Sequence, residues 1–221
     1  IEYFIKVCDA IAYSHSSGVI HRDIKPQNIM LGAFNEVYVM DWGMARLLEE
    51  RENIDEQSLG RSVEFLSDVD SAQTRAGMVI GTPRYMAPEQ AAGLRAEVGP
   101  AADQYALGLV LYELLTLRPS RKATTVVEML KLAREASTLD CSNALGGALA
   151  SPLEAIVKRA TACRPEDRFA DVAALAEELR RFQRFEPVLS YEEPLAERAW
   201  RQVRRRPTLF MACVTTLLLC A

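Results

Sequence analysis

Histidine is nearly absent from this chain. Only His15 and His21 occur in 221 residues, which excludes a His-rich metal site. The five cysteines (Cys8, Cys141, Cys163, Cys213, Cys220) are odd in number, scattered and without a C-x-x-C pair, so reduced thiols in a cytosolic body are expected. Excess positive charge is lacking too. Lys and Arg total 26 against 30 Asp and Glu, a net charge of −4 that argues against a general nucleic-acid binder, and no nucleic-acid partner is expected. There is no internal repeat, no initial Met and no signal peptide, and the chain opens inside an amphipathic pattern; the expectation is a fragment. What is present is ordinary for a soluble globular body, 49% hydrophobic and 25% charged, in a length that allows one large domain and a tail.

Helical periodicity opens the chain. Ile1, Phe4, Ile5, Cys8, Ile11, Ala12 and His15 share one stripe over residues 1–18, with Gly18 as the stop. Short strands are predicted at Val19–Ile20, Asn28–Leu31 and Val37–Met40, the last two joined by a "GAFNE" hairpin turn. The run Ile29, Met30, Leu31 has the character of a buried strand. From Leu48 to about Gly77 the periodicity vanishes and acids predominate, as in a long mobile loop. "ADQYALGLVLYELLTL" is apolar nearly all round, which predicts a helix in the middle of the domain. "TVVEMLKLAREA" is a further amphipathic helix. "SPLEAIVKRATA" suggests Ser151 as cap, Pro152 at the first helical position and Glu154 closing a capping box, and "DVAALAEELRRFQ" suggests Asp171 as cap.

The last segment differs in character. "EPVLSYEEPLAE" suggests an acidic, Pro-containing linker, and "WRQVRRRP" sets Arg201, Arg204, Arg205 and Arg206 beside Trp200. Thr208 to Ala221 carries no charged residue. As a helix these residues would rise roughly 21 Å, short of a hydrocarbon core of about 30 Å. Flanking arginines and a Trp mark a cytoplasmic membrane interface, so the expectation is the start of a membrane-spanning helix, with a buried C-terminal helix as the alternative.

The chemistry concentrates in "HRDIKPQNIM", His21 to Met30, followed by "DWG" at Asp41–Gly43 and "APE" at Ala87–Glu89. Three such strings in this order, with strand and helix between them, are specific where each alone is weak. Over about residues 1–185 the chain resembles the C-terminal lobe of the bacterial, eukaryotic-like serine/threonine protein kinases. The resemblance implies a mainly α fold with a few short β-strands, a kinase-like lobe at 1–185, an acidic then basic juxtamembrane linker at 186–206, and a truncated transmembrane helix at 207–221.

By that resemblance Asp23 is the catalytic base or aims the substrate hydroxyl, and Lys25 projects toward the γ-phosphate of ATP. Asn28 and Asp41 supply hard oxygen ligands to Mg2+, with Mn2+ as an alternative. Thr82 would hydrogen-bond Asp23 and Lys25, Glu89 would pair with Arg168, Asp103 would anchor the catalytic-loop backbone, and His21 would be structural. Lys25 and "GTPRYMAPEQ" favour Ser/Thr over Tyr in protein substrates. Arg22 with Arg46 could receive a phosphate carried by Thr74, Ser71, Ser67, Ser62 or Ser58; an unmodified insert is the competing reading. Ala102 stands where the family more often has Ser, and Trp42 where it has Phe.

No Gly-rich loop, strand lysine or partner-Glu helix precedes the catalytic motif in these 221 residues. In the family those parts hold adenine and the α/β-phosphates, so this segment alone is expected to be inactive. The expected whole is a single-pass inner-membrane signalling kinase with a cytoplasmic catalytic domain, the bilayer as partner and a homodimer for autophosphorylation. Two other classes compete: a membrane-tethered pseudokinase scaffold and a small-molecule phosphotransferase.

Overall fold

The computed structural model describes residues 1–47, 82–93, 98–136, 139–142 and 147–205. Helix α1, Glu2–Ser16, buries Phe4, Ile5, Val7, Cys8 and Ile11, and Gly18 turns the chain with φ at +76°. Strand β1, Val19–Ile20, leads into the catalytic-loop sequence. Strands β2, Ile29–Leu31, and β3, Val37–Val39, form the expected antiparallel hairpin, in register Ile29 to Val39 and Leu31 to Val37. The turn is aided by Asn35 in the left-handed region at φ +65°. One expectation needs correction here: β2 is a strand but not a buried one, since Met30 and Leu31 are about half exposed. A two-stranded hairpin offers two faces, and among the described residues only one is covered. Strand β4, Arg46–Leu47, pairs antiparallel with β1, setting Arg46 opposite Ile20.

The short helix α2, Pro88–Ala91, precedes α3, Pro100–Thr116, the axis of the fold. From Ala102 to Tyr112 every residue of α3 is buried, as its all-round apolar sequence requires. Gly108 lets the end of helix α5, Ser151–Ala160, come close: a Cβ there would lie 2.7 Å from Thr161 Cγ2 and 2.9 Å from Ala160 Cβ. Around this axis pack α1, α5 (Ser151–Ala160) and α6 (Val172–Gln183), with α4 (Val126–Glu135) against α2.

Asp171 caps α6, its carboxylate accepting from Ala174 N at 2.7 Å. Ser151 does not cap α5. The helix begins one residue earlier than expected, Ala150 is the cap, and Glu154 pairs with Lys158 at 2.6 Å instead of closing a box. The stretch taken as linker contains structure: residues 187–191 lie against α6, and helix α7 runs Leu195–Arg205. Among the described residues no helix is long and apolar enough to cross a membrane. The expected spanning segment at 207–221 and the candidate phosphorylation sites between Ser58 and Thr74 lie outside the described residues.

Candidate active site

Asp103 organises the loop. It sits in the first turn of α3, where the helix dipole favours an anion, and is 1% exposed. Its Oδ2 accepts from His21 N at 2.8 Å and its Oδ1 from Arg22 N at 2.7 Å, while His15 Nε2 lies 2.8 Å from Oδ2. Two adjacent backbone N–H groups held by one carboxylate fix Arg22 in the left-handed region, φ +70°. That conformation costs a non-glycine residue about 1–2 kcal/mol, so the buried charge must over-determine it.

His21 is fully buried. Its Nδ1 accepts from Asp23 N at 3.3 Å, which leaves the proton on Nε2 to be donated to Met40 O at 3.0 Å. The ring lies 4.5 Å from that of Trp42, whose Nε1 donates to Val39 O at 2.9 Å. A single imidazole thus ties the loop bearing Asp23 to the strand end bearing Asp41, in the structural role expected of it.

Three predicted residues meet directly. Lys25 Nζ donates to Asp23 Oδ2 at 2.6 Å, and Asn28 Nδ2 donates to Asp23 O at 2.8 Å and to Oδ2 at 3.3 Å. Because the Asn28 amide donates toward Asp23, its oxygen is the atom left to accept or to ligate. Met40 N donates to Asn28 O at 2.8 Å, so the hairpin ladder brings Asn28 and Asp41 to the same end of β2 and β3. Asp41 is exposed and left-handed (φ +62°), and a Cβ on Gly43 would crowd its Oδ1 at 3.3 Å.

A carboxylate and an amide oxygen at one end of a hairpin fit Mg2+, which takes one or two protein oxygens and fills its octahedron with phosphate oxygens and water. Among the described residues no group of three His, Cys, Asp or Glu could hold a metal by itself.

The segment 82–91 is clamped over this loop. Gln90 Oε1 accepts from Ala87 N at 3.0 Å and its Nε2 donates to Arg22 O at 3.2 Å. Arg121, 4% exposed, donates to Arg84 O at 2.7 Å, Met86 O at 2.9 Å and Tyr105 Oη at 2.7 Å. Burial pulls the Arg121 guanidinium below its ordinary pKa and pushes the Tyr105 hydroxyl up. Tyr85 Oη donates to Glu113 Oε2 at 2.7 Å; burial and that carboxylate hold its proton firmly in place. Glu89 and Arg168 form the expected pair, two parallel bonds of 2.8 Å each, both side chains under 5% exposed. Thr82 opens the 3-10 turn Thr82–Tyr85, but its side chain lies outside the described set, and with it the expected contact to Asp23 and Lys25.

Sequence reasoning did not single out His15, Gln90, Glu113 or Arg121 as parts of this frame. For Arg121 there was little signal, since "RPSRKATT" has the composition of an exposed loop.

Comparison with known proteins gives a consistent result. The protein kinase domain profile matches residues 1–179. A serine/threonine-protein kinase PknD of Protochlamydia amoebophila is 43% identical over 128 residues, 58% of this chain and 12% of the relative. Proteins of the same name from Chlamydia caviae and Chlamydia trachomatis are each 38% identical, over 79% and 83% of this chain and 18% and 20% of their own lengths. The chain therefore spans a fifth or less of the length of these relatives.

Proposed function

The chain belongs to the protein kinase domain family, and on that premise we propose that it is the C-terminal lobe of a serine/threonine kinase that moves the γ-phosphoryl group of ATP to Ser or Thr hydroxyls of proteins. The observation that carries the reading is the bonded cluster of Asp23, Lys25 and Asn28 at the hairpin end that also bears Asp41. Asp23 accepts the hydroxyl proton or aims the hydroxyl, and Lys25, already at its carboxylate, offsets negative charge developing on the transferred group. Asn28 and Asp41 would hold Mg2+ through oxygen, and the metal would supply neutralisation of phosphate charge. Thr82 is assigned to couple the substrate platform to Asp23 and Lys25.

In this reading the 221 residues alone transfer little phosphate, because no lysine-bearing Gly-rich lobe precedes the motif within them. The whole is anchored in the inner membrane by the apolar segment at 207–221, with 1–185 in the cytoplasm and 186–206 between. Protein substrates, and a second copy during autophosphorylation, are its partners. Phosphoamino-acid analysis of the intact protein carrying this chain, incubated with labelled ATP and Mg2+, tests the reading. Label on serine or threonine supports it. A folded protein that labels neither itself nor a generic protein substrate would leave the scaffold role.

A further inference from the structure

Helix α7, Leu195–Arg205, is attached to the lobe by the wrong face for a soluble helix. Successive residues on a helix turn by about 100°, which places Leu195, Ala196, Ala199 and Trp200 on one side and Glu197, Arg198, Arg201 and Arg204 on the other. The charged side makes the attachment, with Arg201 partly buried and Glu197 accepting from Tyr191 Oη at 2.9 Å, while Arg198 and Arg204 at its margins are exposed. Arg201 Nε and Nη2 each reach Glu193 at 2.8 Å, and its guanidinium also approaches Phe185 O at 3.4 Å. The apolar side faces outward, with Leu195 81% and Trp200 61% exposed and both alanines exposed.

The mount beneath the helix is fixed. Glu178, 5% exposed, accepts from Leu189 N at 3.1 Å, Ser190 N at 2.8 Å and Ser190 Oγ at 2.9 Å, and Val188 inserts into the core. The helix is thus held out from the lobe, and among the described residues its apolar face is uncovered.

We propose that this face lies in the plane of a membrane surface carrying anionic lipid headgroups, so that α7 is an interfacial helix that orients the lobe against the bilayer. Three observations select that occupant. Trp200 has the amphipathic ring favoured at a headgroup boundary, and Arg204, 5.8 Å from it, is placed to snorkel. Arg198 and Arg204 flank the apolar face with positive charge that complements anionic lipid. The sequence after the helix continues without a charged residue from Thr208 to Ala221. The proposal rests on the membrane-anchored reading above and adds to it a fixed contact in place of a flexible tether.

Single-tryptophan reporters in the full 221-residue chain test it. Trp42→Phe leaves Trp200 as the remaining tryptophan of the two; adding Trp200→Phe and Leu195→Trp moves the reporter to the first turn of α7. Each variant, checked for folding by circular dichroism, is mixed with phosphatidylglycerol–phosphatidylcholine vesicles bearing brominated acyl chains, and vesicle flotation is measured in parallel. Both reporters are expected to shift to the blue and be quenched to a similar extent, with quenching at position 195 weakened several-fold by Arg198→Glu with Arg204→Glu. A chain that floats with vesicles while position 195 stays water-exposed would overturn the interfacial helix and leave the anchor standing. A lipid-independent blue shift that grows with protein concentration would assign the face to a second copy and overturn the proposal. A chain that does not float at all would remove both the anchor and the helix contact.

Discussion

At the scale of single residues, the site depends on carboxylates that each serve several donors. Asp103 faces His15 Nε2, His21 N and Arg22 N, and Asn in its place would turn one acceptor into a donor facing a donor. Asp103→Asn is expected to lower stability by about 1–3 kcal/mol, the cost of a buried donor left unmatched, as read by urea melts. Phosphoryl transfer should fall further than stability does, since Arg22 then loses one anchor of its left-handed conformation. At the Glu89–Arg168 pair, breaking one partner strands the other, at about 3–5 kcal/mol. Arg168 also donates to the carbonyls of Ala101, Ala162 and Cys163, so Arg168→Ala should cost more than Glu89→Ala in the same melts. Equal losses would mean that the carbonyl contacts contribute nothing. Both carboxylates were legible because they sit in ordered motifs. Arg121 was not, because its burial is decided by carbonyls at Arg84 and Met86, more than 30 residues away in the chain.

At the scale of elements, periodicity carried most of the information. The stripe in α1, the all-round apolar run of α3 and the cap at Asp171 all follow from local sequence. Ser151 shows where local rules stop. It has the cap signature, yet α5 starts at Ser151 itself and Ala150 is the cap. Asp171→Ala should therefore cost about 1 kcal/mol, the value of a lost N-cap, with Ser151→Ala costing less, in thermal melts of the two variants. A larger loss at Ser151 would restore it as the cap. Strand β4 is two residues long and exists only through its pairing with β1, so no pattern within it could reveal it. Helix α7 was hidden by the prolines that flank it, Pro194 and Pro207, and by its dense charge, and its attachment through Arg201 to Glu193 is a tertiary fact.

At the scale of the whole molecule, the described residues form a helical body around α3 with the hairpin and catalytic loop at one side. A strap from α6 to α7 holds out a second surface. In the proposed function the site is completed by phosphates at the metal and by a surface that holds adenine. Asp23 and Asp41, in that proposal, carry phosphoryl transfer rather than fold. The most direct measurement is the rate of label transfer from ATP-Mg2+ to a protein substrate by the intact protein carrying this chain, compared with Asp23→Asn and Asp41→Asn, each with its melting curve. A fall of about 10²–10⁴-fold is expected for Asp23→Asn, the range for loss of a positioned acid–base group, with a similar or greater fall for Asp41→Asn and unchanged melting. Transfer that survives both substitutions in folded protein would contradict it.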